Sequence, residues 1–330
     1  MGAMQAQDYQ AALWAIGLRT QGSTLSSVNQ AIDSAEIVRT WPMRGTLHFV
    51  AAADLHWMVA LMAPRAIAKA AARARGFEID GAVIAKTRKL LEKTLRGSKR
   101  LTRTELYEVL ENGGVPSAGQ RGIHLIGRLA QEGVICLGPH RGKQPTFVLT
   151  EEWLPPGPRF DREDAVAELA RRYFTSHGPA TVYDFAWWTG LTVTEARSGL
   201  EAVATEFERM TSDKSTYWFA PREAAPVRTG LHLLPGFDEY ILGYTDRAAI
   251  LTEEHAKKLV PGNNGMFMAA IVSDDGRVLG TWRRAASKVG LNLTPEPFGE
   301  FRDAERKAFE AAGIGYARFL DLPLSGAGKG

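Results

Sequence analysis

The spacing of apolar positions changes along this chain, and one order of predicted elements occurs more than once. From Ile84 apolar residues follow a helical period, and Thr102 and Glu105 form a capping box that begins a second helix. A third helix is predicted over 117–131, followed by two strands around 134–136 and 147–149. Helix, helix, helix and hairpin is the order of a winged helix, a helix-turn-helix variant built chiefly to bind DNA.

The same order returns further along the chain. Apolar residues between Val166 and Phe174 share one helix face, and strands are predicted around 207–210 and 217–219. One capping signature alone is a weak signal, whereas two in register, with the same elements around them, indicate a repeat. The capping boxes of this second copy are Thr181 with Asp184 and Thr192 with Glu195.

The start of the chain predicts an incomplete copy of the same unit. A helix over 8–18, a second helix that Ser23 caps and that runs to Ile32, and strands over 36–41 and 46–50 supply two helices and the wing. The first helix of the unit is missing. Either the chain begins late within its first domain, which we favour, or another segment supplies the missing helix.

The last hundred residues change character and predict a β-rich segment. A strand begins at 232, a hairpin joins 266–272 to 278–282, a helix covers 304–312, and 325–330 is a flexible tail. The predicted fold class is therefore α+β, with three tandem winged-helix repeats, the first incomplete, and a C-terminal β-rich segment that ends in a helix. The predicted domains are 1–60 (first winged helix), 61–158 (basic helical connector and second winged helix), 159–229 (third winged helix) and 230–330.

Composition places the chain among ordinary globular proteins. Its 330 residues are 45% hydrophobic and 23% charged, and no apolar run approaches the ~18 residues that span a bilayer. No signal-peptide pattern begins the chain, so we expect a cytoplasmic protein. Cys136 is the single cysteine, which rules out an internal disulfide or a thiolate metal cluster.

The net charge of +3 hides a strongly basic segment. Residues 65–143 carry 16 Lys and Arg against 7 Asp and Glu, a local net charge of +9. Solvated helix faces would explain any single lysine, but charge clustered at helical spacing favours contact with the phosphates of double-stranded DNA. The predicted DNA-binding cations are a stripe of Arg65, Lys69 and Arg73, a helix face with Arg121, His124 and Arg128, and a wing tip with Arg141 and Lys143.

Several catalytic classes can be set aside. The chain has no HExxH motif, no Gly-x-Ser-x-Gly motif and no dinucleotide glycine fingerprint, and its seven histidines are scattered. No metal or organic cofactor is implied. A polar cluster remains at the amino end, where Gln5 and Gln7 precede a helix that Asp8 can cap. Composition alone favours exposed polar residues there.

The motif around these glutamines resembles the Gln-x-Gln signature of the winged-helix DNA glycosylase family (AlkZ-like), over residues 4–9 and 13–19. Residues 43–48 are similar to the family's Arg-x-Thr-x-His hairpin, and 234–247 and 280–282 resemble its C-terminal motifs. The resemblance covers most of the chain in the right order. It implies three tandem winged helices, excision of bulky N-alkylated purines and unhooking of interstrand cross-links. Family members usually carry a helix before the glutamines, so it also implies a short N-terminus.

The resemblance also suggests a role for each motif residue. Gln5 and Gln7 would be catalytic, and Asp8 would cap the following helix. The hairpin residues Arg44, Thr46 and His48 would contact DNA or brace the site, although His48 can equally be a strand residue bonded to backbone. Asp238 and Arg247 would form a buried ion pair that holds the C-terminal domain against the site, with a direct part in catalysis as the alternative.

The predicted function is that of a monomeric, cofactor-free DNA-repair glycosylase acting on damaged duplex DNA. The first alternative is a non-catalytic winged-helix DNA-binding protein or transcription regulator, which would select an operator and ignore lesions. The second is a protein–protein scaffold that uses winged helices as packing modules.

Overall fold

The computed structural model describes residues 1–213, 215–221, 230–261, 265–287 and 290–327, and it has a mixed α+β fold. Within these ranges no helix is long and apolar enough to cross a membrane. The helices are α1 (Tyr9–Arg19), α2 (Leu25–Asp33), α3 (Leu55–Gly76), α4 (Gly81–Leu95), α5 (Arg103–Asn112), α6 (Arg121–Gln131), α7 (Thr150–Trp153), α8 (Arg162–His177), α9 (Val182–Thr189), α10 (Val193–Val203), α11 (Glu239–Leu242), α12 (Glu253–Leu259) and α13 (Asp303–Leu320). The strands are β1 (Ala3–Gln5), β2 (Ile37–Met43), β3 (Thr46–Ala51), β4 (Leu101–Thr102), β5 (Ile135–Arg141), β6 (Gln144–Leu149), β7 (Glu208–Ser212), β8 (Ser215–Phe219), β9 (His232–Leu234), β10 (Ala270–Val272), β11 (Val278–Ser287), β12 (Gly290–Pro297) and β13 (Leu324–Ala327).

The chain divides into two compact units. The first unit comprises Met1–Ala3 and Gln30–Phe219, and the second comprises Met4–Asn29 and Ala220–Gly330. The helix α1 therefore belongs to the same unit as the C-terminal segment. The four predicted domains, with boundaries at 60, 158 and 229, stay a prediction.

The first unit contains a sheet in which the strands β3-β2-β5-β6-β4 are neighbours in that order. Its centre is made of two antiparallel hairpins, β2–β3 and β5–β6, which meet where Arg39 lies opposite Leu137. The helices α4, α5 and α6 pack beside the second hairpin and contribute fully buried leucines to one core, among them Leu91, Leu106 and Leu129. Apolar residues at helical spacing thus form the core that the sequence pattern predicts.

The elements predicted for the two clearer copies are present. The capping boxes of α5, α9 and α10 all form, with the side chain and backbone of each pair bonded reciprocally. The helix α6 begins four residues later than predicted, at Arg121, because Glu111 accepts hydrogen bonds from the backbone and hydroxyl of Ser117 and Gly119 takes a positive φ. The count of three winged-helix repeats stays a prediction.

The cap of α2 differs from the prediction. The hydroxyl of Thr24, not that of Ser23, accepts the hydrogen bond from the backbone N–H of Ser27. The Ser23 hydroxyl donates instead to the carbonyl oxygens of Gly17 and Thr20. Ser23 therefore ties the loop back to the end of α1, and the neighbouring threonine begins α2.

The second unit is built on a sheet with the order β13-β12-β11-β10-β9. The strand β10 is shorter than the predicted 266–272, and α13 continues to Leu320, well beyond the predicted end at 312. The predicted flexible tail is corrected in part, because Leu324–Ala327 forms a strand that pairs in parallel with β12. The reason is the turn at Asp321, whose left-handed conformation ends α13 and returns the chain to the sheet. Residues 328–330 of that predicted tail lie outside the described residues.

The close packing of α1 on α13 yields a test of the second unit. A Cβ at Gly17 would lie 2.5 Å from the ring of Phe319, which is 3% exposed. We therefore expect Gly17→Ala to lower the free energy of unfolding by about 1–3 kcal/mol in urea titrations of the full chain. Gly315→Ala is the matched control within α13, since a Cβ there meets nothing within 4 Å, and it should stabilise by about 0.5–1 kcal/mol. A Gly17→Ala variant as stable as the wild type would contradict this packing.

Candidate functional site

The two glutamines lie on either side of a buried alanine at the start of the second unit. Ala6 is 0% exposed, Gln5 is half-buried and Gln7 is exposed. Gln5 is the last residue of β1, and Gln7 lies in the bend that leads into α1, so the two glutamines are the more accessible residues around a buried alanine. We call residues 5–7 the Gln-x-Gln segment. The predicted cap is confirmed directly after it, where the Asp8 carboxylate accepts the backbone N–H of Ala11 at 3.0 Å.

A buried glutamate holds the Gln-x-Gln segment. The backbone N–H of Gln5 donates to Oε1 of Glu239 at 2.8 Å, and Glu239 is 1% exposed. Glu239 is the first residue of α11, directly after the N-cap Asp238, whose carboxylate accepts the backbone N–H of Tyr240 at 2.9 Å. The first turn of a short helix therefore places a carboxylate against the strand that carries Gln5.

The adjacent carboxylate forms an ion pair that the sequence analysis did not predict. Both terminal nitrogens of Arg19 donate to Asp238, at 2.8 and 2.7 Å, and the Asp238 side chain is 0% exposed. Burial alone would lower the pKa of the Arg19 guanidinium, but the charge and hydrogen bonds of Asp238 and the nearby charge of Glu239 raise it above its ordinary value. Arg19 is thus the cation that offsets the burial of Asp238.

The expected ion pair between Asp238 and Arg247 is therefore corrected. The Nε of Arg247 donates to the carbonyl oxygen of Ile241 at 2.6 Å, and its guanidinium lies over the ring of Phe267, 5.4 Å from the centroid. Arg247 supports the loop after α11, which is close in sequence, while Arg19 reaches Asp238 from the last turn of α1.

Aromatic packing fixes the middle of α1 within the same unit. The indole N–H of Trp14 donates to the carbonyl oxygen of Leu233 at 2.7 Å, and the ring lies against Tyr316 and Phe319 at centroid distances of 4.7 and 5.0 Å. The helix α1, which follows the glutamines, is thus held by α13 and β9. The C-terminal end of the Gln-x-Gln segment is therefore attached to a rigid element.

The first unit contains a cleft of about 650 Å³ lined by cations, which we call the basic cleft. Its lining residues include no aspartate or glutamate. The three cations of the predicted stripe, Arg65, Lys69 and Arg73 on α3, are all exposed and all line this cleft, and their contact with DNA stays a prediction. The other cations of the lining are Arg44 and Arg128.

The tip of the β2–β3 hairpin places Arg44 in this cleft. Arg44 has φ 53° and Gly45 has φ 74°, so an arginine occupies a left-handed position that favours glycine. Its guanidinium lies over the ring of Trp187, 4.9 Å from the centroid. Arg44 therefore combines an unfavourable backbone conformation with a stack on Trp187 of α9. Residues held in such strained conformations are typical of functional sites.

His48 braces the same arginine from the strand. It is 0% exposed, and Nδ1 lies 2.9 Å from the carbonyl oxygen of Thr46, so that nitrogen carries the proton. Nε2 then accepts from Nη2 of Arg44 at 3.3 Å. Both interpretations of His48 therefore apply, since it is bonded to backbone and also supports the hairpin arginine. The Thr46 side-chain oxygen is buried, and its carbonyl sets the orientation of the imidazole.

Arg121 is held by the fold, and its contact with DNA stays a prediction. Its three guanidinium nitrogens donate to the carbonyl oxygens of Phe77, Pro116 and Glu78 at 2.8, 2.8 and 3.1 Å. The predicted stripe on α6 is therefore split, because only His124 and Arg128 line the basic cleft. Sequence spacing gives the face of a helix, but it does not show which neighbouring carbonyls an arginine will reach.

The remaining predicted cations differ in how strongly they are engaged. Arg128 donates to Glu132 at 2.6 Å, and Arg141 donates to Glu105 at 2.7 Å, whereas Lys143 is exposed at the β5–β6 turn. His124 stacks on the ring of Phe77 at 4.7 Å. Burial, and then the charge of Arg73, lower the pKa of His124, which favours the neutral imidazole in the cleft.

Other reactive groups are not grouped into a site among the residues that the structure describes. No three His, Cys, Asp or Glu side chains there lie close enough to hold a metal ion. Cys136 is fully buried, and burial raises the pKa of its thiol to about 12. The thiol is therefore protonated at neutral pH and is not a nucleophile.

Three residues that matter at these sites were not singled out from the sequence. Glu239 and Arg19 lie inside motifs that resemble the family, but neither the partner of Gln5 nor that of Asp238 follows from local spacing. Trp187, which is 39% exposed and lies under the Arg44 guanidinium, likewise has no local spacing signal that points to Arg44.

The Arg19–Asp238 pair yields a prediction for the site. Asp238→Asn removes the anion and leaves a guanidinium whose side chain is only 28% exposed, so we expect the free energy of unfolding to fall by about 3 kcal/mol. Glu253→Gln is the control, because that side chain is 92% exposed and its pair with Lys257 should contribute less than about 0.5 kcal/mol. Urea unfolding of both variants measures this. Equal effects would show that the buried pair does not hold α1.

Known proteins resemble this chain along almost its whole length. The family model described as "DNA glycosylase AlkZ-like" matches residues 1–319. A relative named an interstrand DNA cross-link repair glycosylase, from Streptomyces sahachiroi, is 28% identical over 95% of this chain and 88% of its own length. The structure of the Streptomyces sahachiroi DNA glycosylase AlkZ superposes with a TM-score of 0.77 and 26% identity, over 98% of this chain and 90% of that one. The chain belongs to the AlkZ-like DNA glycosylase family.

Proposed function

We propose that this protein is a DNA-repair glycosylase that hydrolyses the N-glycosidic bond of bulky or cationic N-alkylated purines. The observation that carries the proposal is the Gln-x-Gln segment, in which Gln5 is half-buried, Gln7 is exposed, and a buried carboxylate accepts the backbone N–H of Gln5. Membership of a DNA glycosylase family supports the reaction class. The name of the Streptomyces sahachiroi relative supports including interstrand cross-links among the substrates.

The chemistry suits two neutral amides. An N3- or N7-alkylated purine is already cationic, so it leaves without a strong general acid. The enzyme must then stabilise an oxocarbenium-like sugar and present a water to its open face. The side-chain oxygens of Gln5 and Gln7 accept hydrogen bonds from such a water and offer partial negative charge without ionising. Asp8 is occupied by helix capping, so it is assigned no chemical step.

The basic cleft provides the proposed grip on duplex DNA. Arg65, Lys69 and Arg73 repeat along one face of α3 and are exposed, which suits contact with successive phosphates. Arg44, stacked on Trp187 and braced by His48, presents a fifth and rigid donor group beside Arg128. We assign Lys143 and Arg141 to the edge of this surface, with Arg141 the weaker because Glu105 already neutralises it.

We further propose that the helices and hairpins form three winged-helix modules over 1–60, 61–158 and 159–229, followed by the β-rich segment 230–330. The support is the recurring order of capped helices and hairpin, α4–α5–α6 with β5–β6 and α8–α9–α10 with β7–β8. A non-catalytic winged-helix DNA-binding protein is the second candidate. The basic cleft favours it, since the cleft lies in a different unit from the glutamines and would bind DNA without them.

Base release separates these candidates. Wild-type protein should release N7-methylguanine from duplex DNA, and Gln5→Ala/Gln7→Ala should slow release at least about 100-fold because the water loses its acceptors. Single-turnover assays on this duplex, and on one with a nitrogen-mustard cross-link, measure the rate. Gln10→Ala is the matched control, an exposed glutamine on α1 that should leave the rate unchanged.

The outcome for binding must be recorded in the same experiment. If both glutamine variants bind duplex DNA like wild type and only the double variant loses release, the glutamines act in catalysis. If the wild type binds DNA but releases neither lesion, the non-catalytic DNA-binding protein becomes the better description.

The basic cleft makes a separate prediction about salt. Lys69→Ala should weaken binding to undamaged duplex and reduce the slope of log affinity against log salt concentration by about 1, because one phosphate contact is lost. Lys93→Ala removes the same charge from an exposed position on α4 that does not line the cleft, and it should leave the slope almost unchanged. Fluorescence anisotropy over a salt series measures both. Equal slopes for the two variants would exclude the cleft as the DNA surface.

A further inference from the structure

Two consecutive buried carboxylates hold both ends of one short segment in the second unit. Asp238 accepts two hydrogen bonds from Arg19, the last residue of α1, and Glu239 accepts the backbone N–H of Gln5, in the strand before α1. Residues 5–19 are thus tied at each end to one dipeptide. Gln7 lies between the two ties, in the turn that leads into the helix.

Glu239 is too deeply buried to act on substrate directly. It is 1% exposed, and its Oε1 contacts the backbone of Gln5 at 2.8 Å. A carboxylate in such a place cannot take a proton from a water in an open site. It can, however, fix the path of the strand, because a hydrogen bond to a charged acceptor is among the stronger ones in a protein.

We propose that Glu239 is a positioning residue that sets the placement of Gln5 and Gln7 by accepting the backbone N–H of Gln5. The inference rests on the proposed glycosylase function and deepens it, because it makes the C-terminal Asp238–Glu239 dipeptide part of the machinery that aims the glutamines. The length of the Glu239 side chain, and not its charge, places the acceptor oxygen beside the backbone N–H of Gln5. An uncharged oxygen at the same distance therefore accepts the same hydrogen bond.

Two substitutions separate reach from charge. Glu239→Gln keeps an oxygen acceptor at the same distance and removes the charge, whereas Glu239→Asp keeps the charge and is one methylene too short. Positioning by reach predicts that the glutamine variant releases N7-methylguanine within about threefold of wild type, and that the aspartate variant is slower by about 10- to 100-fold. DNA affinity should be the same for both, because Glu239 lies outside the basic cleft.

A readout that does not depend on activity accompanies the assay. Amide hydrogen exchange of the peptide that contains Gln5, followed by mass spectrometry on the full chain, reports whether its N–H is protected. We expect wild-type protection in Glu239→Gln and faster exchange in Glu239→Asp. Phe309→Leu is the stability control, because it removes a buried aromatic contact with Phe301 in the same unit and should change neither the exchange of this peptide nor the rate.

Each outcome is decisive. Loss of protection and of rate in the aspartate variant, with both kept by the glutamine variant, supports the proposal. Wild-type protection in Glu239→Asp overturns it, and so does slow release by Glu239→Gln with protection intact, since charge would then be the requirement. If wild-type protein releases no base but the exchange pattern is as expected, the glycosylase function fails while the positioning of Gln5 by Glu239 stands.

Discussion

The buried pair of carboxylates at Asp238 and Glu239 is the constraint on which the candidate site depends. Removing a carboxylate from water is costly, and the cost is tolerable only when a cation or several donors meet it. Here Arg19 meets one carboxylate and the backbone of Gln5 contacts the other. Because these donors come from the start of the chain, the need of two buried C-terminal acceptors for hydrogen-bond partners determines where the segment that carries the glutamines lies.

In the first unit the notable charges are cations, and several of them are exposed rather than buried. Arg121 and Arg141 use their donors on carbonyls or a glutamate and so stabilise the fold, while Lys69 and its neighbours along α3 remain exposed to solvent in a cleft with no acidic lining residue. The local excess of positive charge is therefore not one uniform DNA surface. Geometry divides it into cations that hold the fold and cations that are available to phosphates.

Local signals in the sequence predict most of the helices and strands, but they do not predict which distant residues pair with one another. Capping boxes such as Thr102 with Glu105 form as predicted, because a helix start is decided within four residues. The partner of Asp238 is wrong in the prediction, since Arg19 lies 219 positions away and no spacing rule connects the two. The strand at Leu324–Ala327 is missed for the same reason: a parallel partner such as β12, not local composition, decides its conformation. The glutamines are found only through resemblance to the family, because polar residues before a helix are common.

The central claim is that the glutamines carry catalysis and the basic cleft carries DNA binding. Single-turnover release of N7-methylguanine over a range of enzyme concentrations tests it most directly, because one data set yields the limiting rate and the half-saturating concentration. Lys69→Ala should change only the concentration, Gln5→Ala/Gln7→Ala should change only the rate, and the combined variant should show both effects independently. A glutamine variant that reaches the wild-type limiting rate would contradict the account.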